Sequence, residues 1–212
     1  MKQELLGCLQ RGDFEQIERL ASKQKRTLSL LTGLTYHPDK LIAWRAVEAL
    51  GLAARVIGTK DMEYVRVHLR RLIWLVSDES GGIGWRAPEG MGEIIANCPD
   101  GCEGFIAPLF HLLELEEEDV GRFRAGVLWA IGRVCSVRPE QFQQIERQVL
   151  DCLDDPDPQV RGMALWALRQ AQPRAPIPGL ERFLCDFGRV EVYQNGSPVH
   201  TTVSELARSA RL

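Results

Sequence analysis

The chain has 212 residues, 45% hydrophobic and 26% charged, which suits one globular domain large enough to bury a core. Its formal net charge of -3 argues against a nucleic-acid-binding surface, whose expected footprint is a basic patch. No stretch approaches the roughly 18 apolar residues of a membrane span, and the N-terminus lacks the apolar run of a signal peptide, so a cytoplasmic location is expected.

In chain order, "ELLGCLQRGDFEQIERLASKQ" predicts two short amphipathic helices separated at Gly12 and Asp13, an N-terminal cap over residues 1–24. Residues 25–171 then repeat themselves. The strings "WRAVEALGLAA", "WRAPEGMGEIIA", "FRAGVLWAIGRV" and "VRGMALWALRQA" align on Arg45, Arg86, Arg124 and Arg161, at spacings of 41, 38 and 37 residues. That period is the one expected of a two-helix unit. An apolar helix A precedes each string, over Thr27 to Tyr36, Asp61 to Val76, Phe105 to Leu115 and Phe142 to Leu153. Between A and B lie the acidic turns "HPDK", "SDES", "EEED" and "DDPDP", in which an Asp can accept the free N–H groups of the next helix. One residue after each arginine the side chain is small, and six after it is small again (Gly51, Gly92, Ala130, Ala167). One before it is apolar, and five after it is large and apolar (Leu50, Met91, Trp129, Trp166). These positions fall on two separate faces, so each helix B is gripped on both flanks, as in a stacked solenoid. The expectation is an all-α superhelix of about four helix pairs.

The pattern resembles the HEAT repeat, in particular the HEAT-like repeats named after phycobilisome lyases, with "DDPDPQVRGMALWAL" from Asp154 to Leu168 as its clearest copy. The resemblance implies a HEAT-like or armadillo-like solenoid with the B helices lining its concave side. It also implies that a turn Asp and a helix-B Arg bridge neighbouring repeats, which makes Arg45, Arg86, Arg124 and Arg161 a structural ladder. Such a resemblance is specific for fold and weak for function.

Residues 172–212 change texture. "QPRAPIPG" reads as a linker or tight turn, "LERFLCDF" as a short helix, and "RVEVYQNGSPVHTTV" over 189–203 as a hairpin turning at Asn195-Gly196. Thr202 with Glu205 has the capping-box spacing for a last helix. The hairpin is expected to cover the open end of the solenoid, with a docking strand for a partner as the sharper alternative.

Candidate sites are few. Gly82, Gly84 and Ala87 satisfy the spacing of a dinucleotide-binding motif, but a helix and not a strand precedes them, so no nucleotide cofactor is expected. Pro88 confines the start of the second helix B to about Gly84 or Trp85, leaving Gly81, Gly82 and Gly84 as a loop able to hold an anion or simply to allow close packing. Positions three, seven and ten after each arginine are expected to face the groove. They hold Glu48, Leu52 and Arg55, then Glu89, Glu93 and Ala96, and in the last two repeats Val127, Ile131, Val134 and Ala164, Leu168, Ala171. Trp44 and Trp85 border that groove, whereas Trp129 and Trp166 read as core. Cys98 and Cys102 flank one turn, and a single pair falls short of a zinc site, so no metal is expected.

Two functional readings follow. The first is a non-catalytic scaffold or protein-interaction module binding a partner segment at Trp44, Glu48, Trp85, Glu89 and Glu93. The second is an enzyme resembling the HEAT-like alkylpurine DNA glycosylases, or a protein like the phycobilin lyases. The acidic balance counts against the glycosylase, and the bilin reading rests on the repeat's name alone.

Overall fold

A computed structural model describes residues 1–77, 86–114, 121–172, 177 and 179–210, except for the side chains of Ser77 and Arg122. The N-terminal segment forms α1 (Lys2–Arg11) and α2 (Phe14–Lys23). Gly12 ends the first in the left-handed region at φ 70°, and the Asp13 carboxylate caps the second by accepting from the Gln16 N–H at 3.1 Å.

Four helix pairs follow: α3 (Thr27–Leu34) with α4 (Lys40–Gly58), α5 (Met62–Ser77) with α6 (Ala87–Asn97), α7 (Ile106–His111) with α8 (Gly121–Val137), and α9 (Glu146–Asp151) with α10 (Pro158–Ala171). Each pair corresponds to one sequence repeat. Asp39 caps α4 through the Leu41 and Ile42 N–H groups, and Asp157 caps α10 through Gln159. The turns "SDES" and "EEED" lie wholly or in part outside the described residues. Helix α6 is recorded from Ala87, with Pro88 in its first turn where the missing N–H costs nothing. Helices α7 and α9 are short and continue as 3₁₀ turns at Leu112–Glu114 and Cys152–Asp154.

The B helices pack side by side in the order α4, α6, α8, α10, and the small residues of the repeat explain how closely. A Cβ at Gly51 would meet the Glu93 carbonyl oxygen at 2.6 Å, and one at Gly92 would meet the Ala130 Cα at 2.7 Å. Backbones this close leave no room for a side chain between them. One continuous core runs from Leu5 in the N-terminal cap to Ala207 near the C-terminus. Val127, Ile131 and Val134 belong to it at 0% exposure, so the expected apolar half of the groove is interior. In helix α8 every residue from Ala125 to Gly132 is buried, so its middle is packed on all sides. Among the described residues no helix is long and apolar enough to cross a membrane.

After α10 come a 3₁₀ turn at Leu180–Cys185, β1 (Arg189–Gln194), β2 (Ser197–Thr202) and α11 (Val203–Ser209). The strands pair antiparallel through a two-residue turn with Asn195 at φ 52° and Gly196 at φ 78°. Thr202 and Glu205 form the full capping box of α11. Helix α11 packs on α10 and on the 3₁₀ turn before the hairpin. The hairpin itself does not sit over the open end. It lies across the B helices, from α10 to α4. The reason is shape: Val190 fills the gap left by Gly162 on α10, and the Tyr193 ring stacks on Trp44 of α4.

One buried polar residue gives the fold a pH dependence. His68 on α5 is 4% exposed, and its Nε2 lies 2.9 Å from the Thr32 hydroxyl. That hydroxyl donates to the Leu28 carbonyl, so the imidazole donates from Nε2 and its Nδ1 is an acceptor without a donor. Burial, with Arg71 adding to it, pulls the His68 pKa from 6.5 to about 4. The unfolded chain therefore binds a proton between those values that the folded chain refuses. We expect stability to fall by up to about 3 kcal/mol as pH drops from 6.5 towards 4. Urea unfolding of wild type and His68→Leu across this range checks it: the loss should be smaller by that amount in the variant. Parallel pH profiles would exclude His68 as its source.

Candidate functional site

Helices α4, α6, α8 and α10 pack side by side, and the hairpin lies over them. Four rings form a continuous run across them. Tyr193 stacks on Trp44 with centroids 5.0 Å apart and planes 4° from parallel, and Trp44 meets Trp129 at 5.1 Å and 57°. Trp129 stacks on Trp166 at 5.9 Å and 7°. The Arg86 guanidinium covers the Trp44 ring at 3.9 Å, a cation–π contact made in a desolvated place. Trp129 also donates its indole N–H to the Tyr193 carbonyl at 3.1 Å.

Carboxylates and guanidinium groups are interleaved with the rings. Glu89 pairs with Arg86 at 3.2 Å, both buried. Glu93, also buried, accepts from Arg133 at 2.6 and 3.3 Å and from Asn97 at 3.1 Å. Burial holds the Glu93 carboxyl above its usual range, with Arg133 working against that shift. Glu48 accepts from the Tyr193 hydroxyl; burial and that bond raise the phenol's pKa well above normal. The hairpin backbone is read by a side-chain amide. Gln159 donates to the Glu191 carbonyl and accepts from the Glu191 N–H, each at 2.8 Å. Lys40 pairs with the Glu191 carboxylate at 3.0 Å, and Arg45 donates to the Gly196 carbonyl at 3.1 Å.

Among the described residues, two cavities lie beside the hairpin. The first, about 290 Å³, is lined by Trp44, Arg86, Glu89 and Trp129, with Lys40 and Glu191 among its other walls. The second, about 430 Å³, is lined by Glu48, Glu93, Arg133, Trp166, Arg169 and the hairpin tip from Tyr193 to Asn195. Of the residues expected at the groove, Trp44 and Glu89 thus belong to one cavity and Glu48 and Glu93 to the other. Trp85, Gly81, Gly82 and Gly84 lie outside the described residues. Trp129 and Trp166 are buried, and they also form walls. Tyr193, Gln159, Arg133 and Arg169 also line these cavities, and the repeat pattern does not mark them. The two arginines stand nine and eight residues after Arg124 and Arg161, adjacent positions of the repeat that fall outside the set three, seven and ten.

The aligned arginines divide in what they do. Arg45 donates to the Leu9 and Gln10 carbonyls, which terminate α1. Arg124 reaches Asp155 in the following turn at 2.7 Å, and Arg161 holds Asp186 together with the Asp155 and Pro156 carbonyls. Arg86 instead lies over the Trp44 ring. Cys98 and Cys102 are buried beside each other, and their mutual interaction raises the pKa of the first thiol and lowers that of the second. Among the described residues no cluster of three His, Cys, Asp or Glu side chains could hold a metal ion.

Residues 121–171 match the HEAT-like repeat family. The chain is 28% identical over 179 residues to an uncharacterised protein of Archaeoglobus fulgidus, covering 84% of this chain and 92% of that one. Among solved structures it is similar to a designed armadillo repeat protein, at a TM-score of 0.49 and 17% identity over 98% of this chain and 97% of that one.

Proposed function

We propose that this chain, a HEAT-like repeat protein, is a non-catalytic cytoplasmic interaction module that receives a segment of a protein partner on its concave side. On this reading residues 25–171 are the repeat array, 1–24 its N-terminal cap and 172–212 its C-terminal cap, and the hairpin forms part of the receiving surface. One observation carries the reading. Charged and aromatic side chains from successive repeats converge on two cavities, where a monomeric scaffold alone would need only aliphatic packing. The glycosylase-like alternative is not favoured, because Glu89 and Glu93 are each held in an ion pair and the net charge is negative.

A photo-crosslinking amino acid at Lys40 or Gln170, on the rims of the two cavities, is expected to trap a common protein in the native cell. The same group at Arg70, exposed on α5, should not. Trapping from Arg70 alone, or equally from all three, would place the interaction elsewhere and overturn the reading.

A further inference from the structure

We infer that Met62, Cys98 and Cys102 form a binding site for a soft monovalent cation of the Cu(I) class, held by two thiolates and one thioether. The cysteines come first. Cys98 is the C-terminal cap of α6, and the chain turns tightly after it, so that the Cys102 N–H donates back to the Cys98 carbonyl at 3.0 Å. That single turn sets the two thiols beside each other in the interior, with Cys98 at 6% and Cys102 at 0% exposure.

The third sulfur is an independent observation. Met62, in the first turn of α5, lays its thioether between Gly58 and Gly101. A Cβ on Gly101 would meet the Met62 Sδ and Cε at 2.6 Å each, and one on Gly58 would meet that Cε at 2.6 Å. Neither glycine has a positive φ, so what each supplies is room for the thioether. The Cβ position on Gly58 lies 3.5 Å from Met62 Sδ and 3.8 Å from Cys98 Sγ, which puts the thioether next to the thiol pair. Met62 is only partly buried, so an ion enters past it. Its unbranched, flexible side chain lets the sulfur close on that ion without moving the backbone.

The donor set selects the ion. Structural zinc sites take four ligands, and among the described residues no third His, Cys, Asp or Glu joins the pair. Thiolate and thioether sulfur instead select Cu(I). Binding sends one proton from each thiol to solvent, and no electron is transferred. The cation and two thiolates then carry one net negative charge, for which the surroundings are prepared. Arg66 donates from Nε to the Gly101 carbonyl at 2.8 Å, within the turn. Arg55 favours the ionised form of Cys98, and Arg66 that of Cys102. The site does not depend on the partner reading above.

The test is anaerobic titration of the reduced full chain with Cu(I) in competition with the colorimetric chelator bicinchoninate. Cys185→Ser serves as the reference, because that exposed thiol would take soft ions by itself. The reference chain is expected to withdraw a single Cu(I), and excess Zn(II) should not displace it. Cys98→Ser and Cys102→Ser should each weaken binding by more than about a hundredfold, beyond the loss of an outer contact, and Met62→Leu by about tenfold. Met62→Leu conserves volume and should unfold close to the urea concentration of the reference, so its deficit reads ligation and not folding. The unaltered site is read with Ag(I), diamagnetic and also thiophilic, on chain labelled at its methionine methyls. Only the Met62 methyl should shift. No withdrawal of Cu(I), displacement by Zn(II), unchanged affinity in any of the three variants, or a Met62 methyl that stays in place would each overturn the proposal.

Discussion

Replacing Arg133 with methionine is expected to cost about 3–5 kcal/mol at neutral pH and far less in acid. The substitution keeps the packing of the stem and removes the cation that compensates a carboxylate with only 5% of its side chain exposed. Burial already raises the Glu93 pKa, and the Arg133 guanidinium is what chiefly opposes that rise, so the variant's folded state must hold a proton on Glu93. The unfolded chain releases that proton near the ordinary value of 4.5. Folded and unfolded forms then differ in bound protons above that value, and stability declines as pH rises from there through the new folded pKa. Urea unfolding of wild type and variant at pH 5 and pH 8 decides the matter. A deficit that is the same at both values would mean that lost packing, and not the stranded carboxylate, is responsible. Adding Glu93→Gln to the variant should recover part of the deficit at pH 8 and none at pH 5.

Tyr193→Ala is expected to be comparably severe, at about 3–5 kcal/mol, the range for truncating a buried aromatic side chain. Tyr193 is 3% exposed, stacks on Trp44 and gives its hydroxyl to Glu48. Tyr193→Phe keeps the stack and leaves the Glu48 carboxylate without that donor, which should cost about 1–3 kcal/mol. The pair separates ring from hydroxyl. If alanine cost no more than phenylalanine, the stack would contribute nothing and the hairpin would be held by its polar contacts alone. Near-ultraviolet circular dichroism adds a second readout, since Trp44, Trp129 and Tyr193 form one run of rings whose signal should collapse in the alanine variant.

The parts of this molecule that follow from local rules are legible in its sequence. Asp39 and Asp157 cap where an acidic residue precedes an apolar period, Asn195-Gly196 turns the hairpin, and Thr202 with Glu205 caps the last helix. Each depends on residues within a few positions of one another. The docking of the hairpin depends on Tyr193 meeting Trp44, and nothing in either neighbourhood specifies the other. Helix periodicity showed two buried flanks on each helix B and could not tell which remaining gap faces water. In α8 it is the side carrying Arg124 and Arg133 that meets water, and Val127, Ile131 and Val134 are interior. Glu89 and Glu93 illustrate the same limit. One helical turn apart, they read as a single acidic patch, yet each takes its own arginine and lines a different cavity.

A stack of helix pairs ordinarily behaves as a chain of links, each feeling only its neighbours, so that one end can fray while the other stays folded. The hairpin changes that rule. Through Lys40, Trp44, Arg45 and Glu48 it is fastened to the first pair, and through Gln159 and Gly162 to the last. A spring tied across its own mouth can neither stretch nor unwind coil by coil. The whole array should then melt in one concerted step, and its assembly should wait on a closure between segments some 150 residues apart, slower than its helical content alone would set.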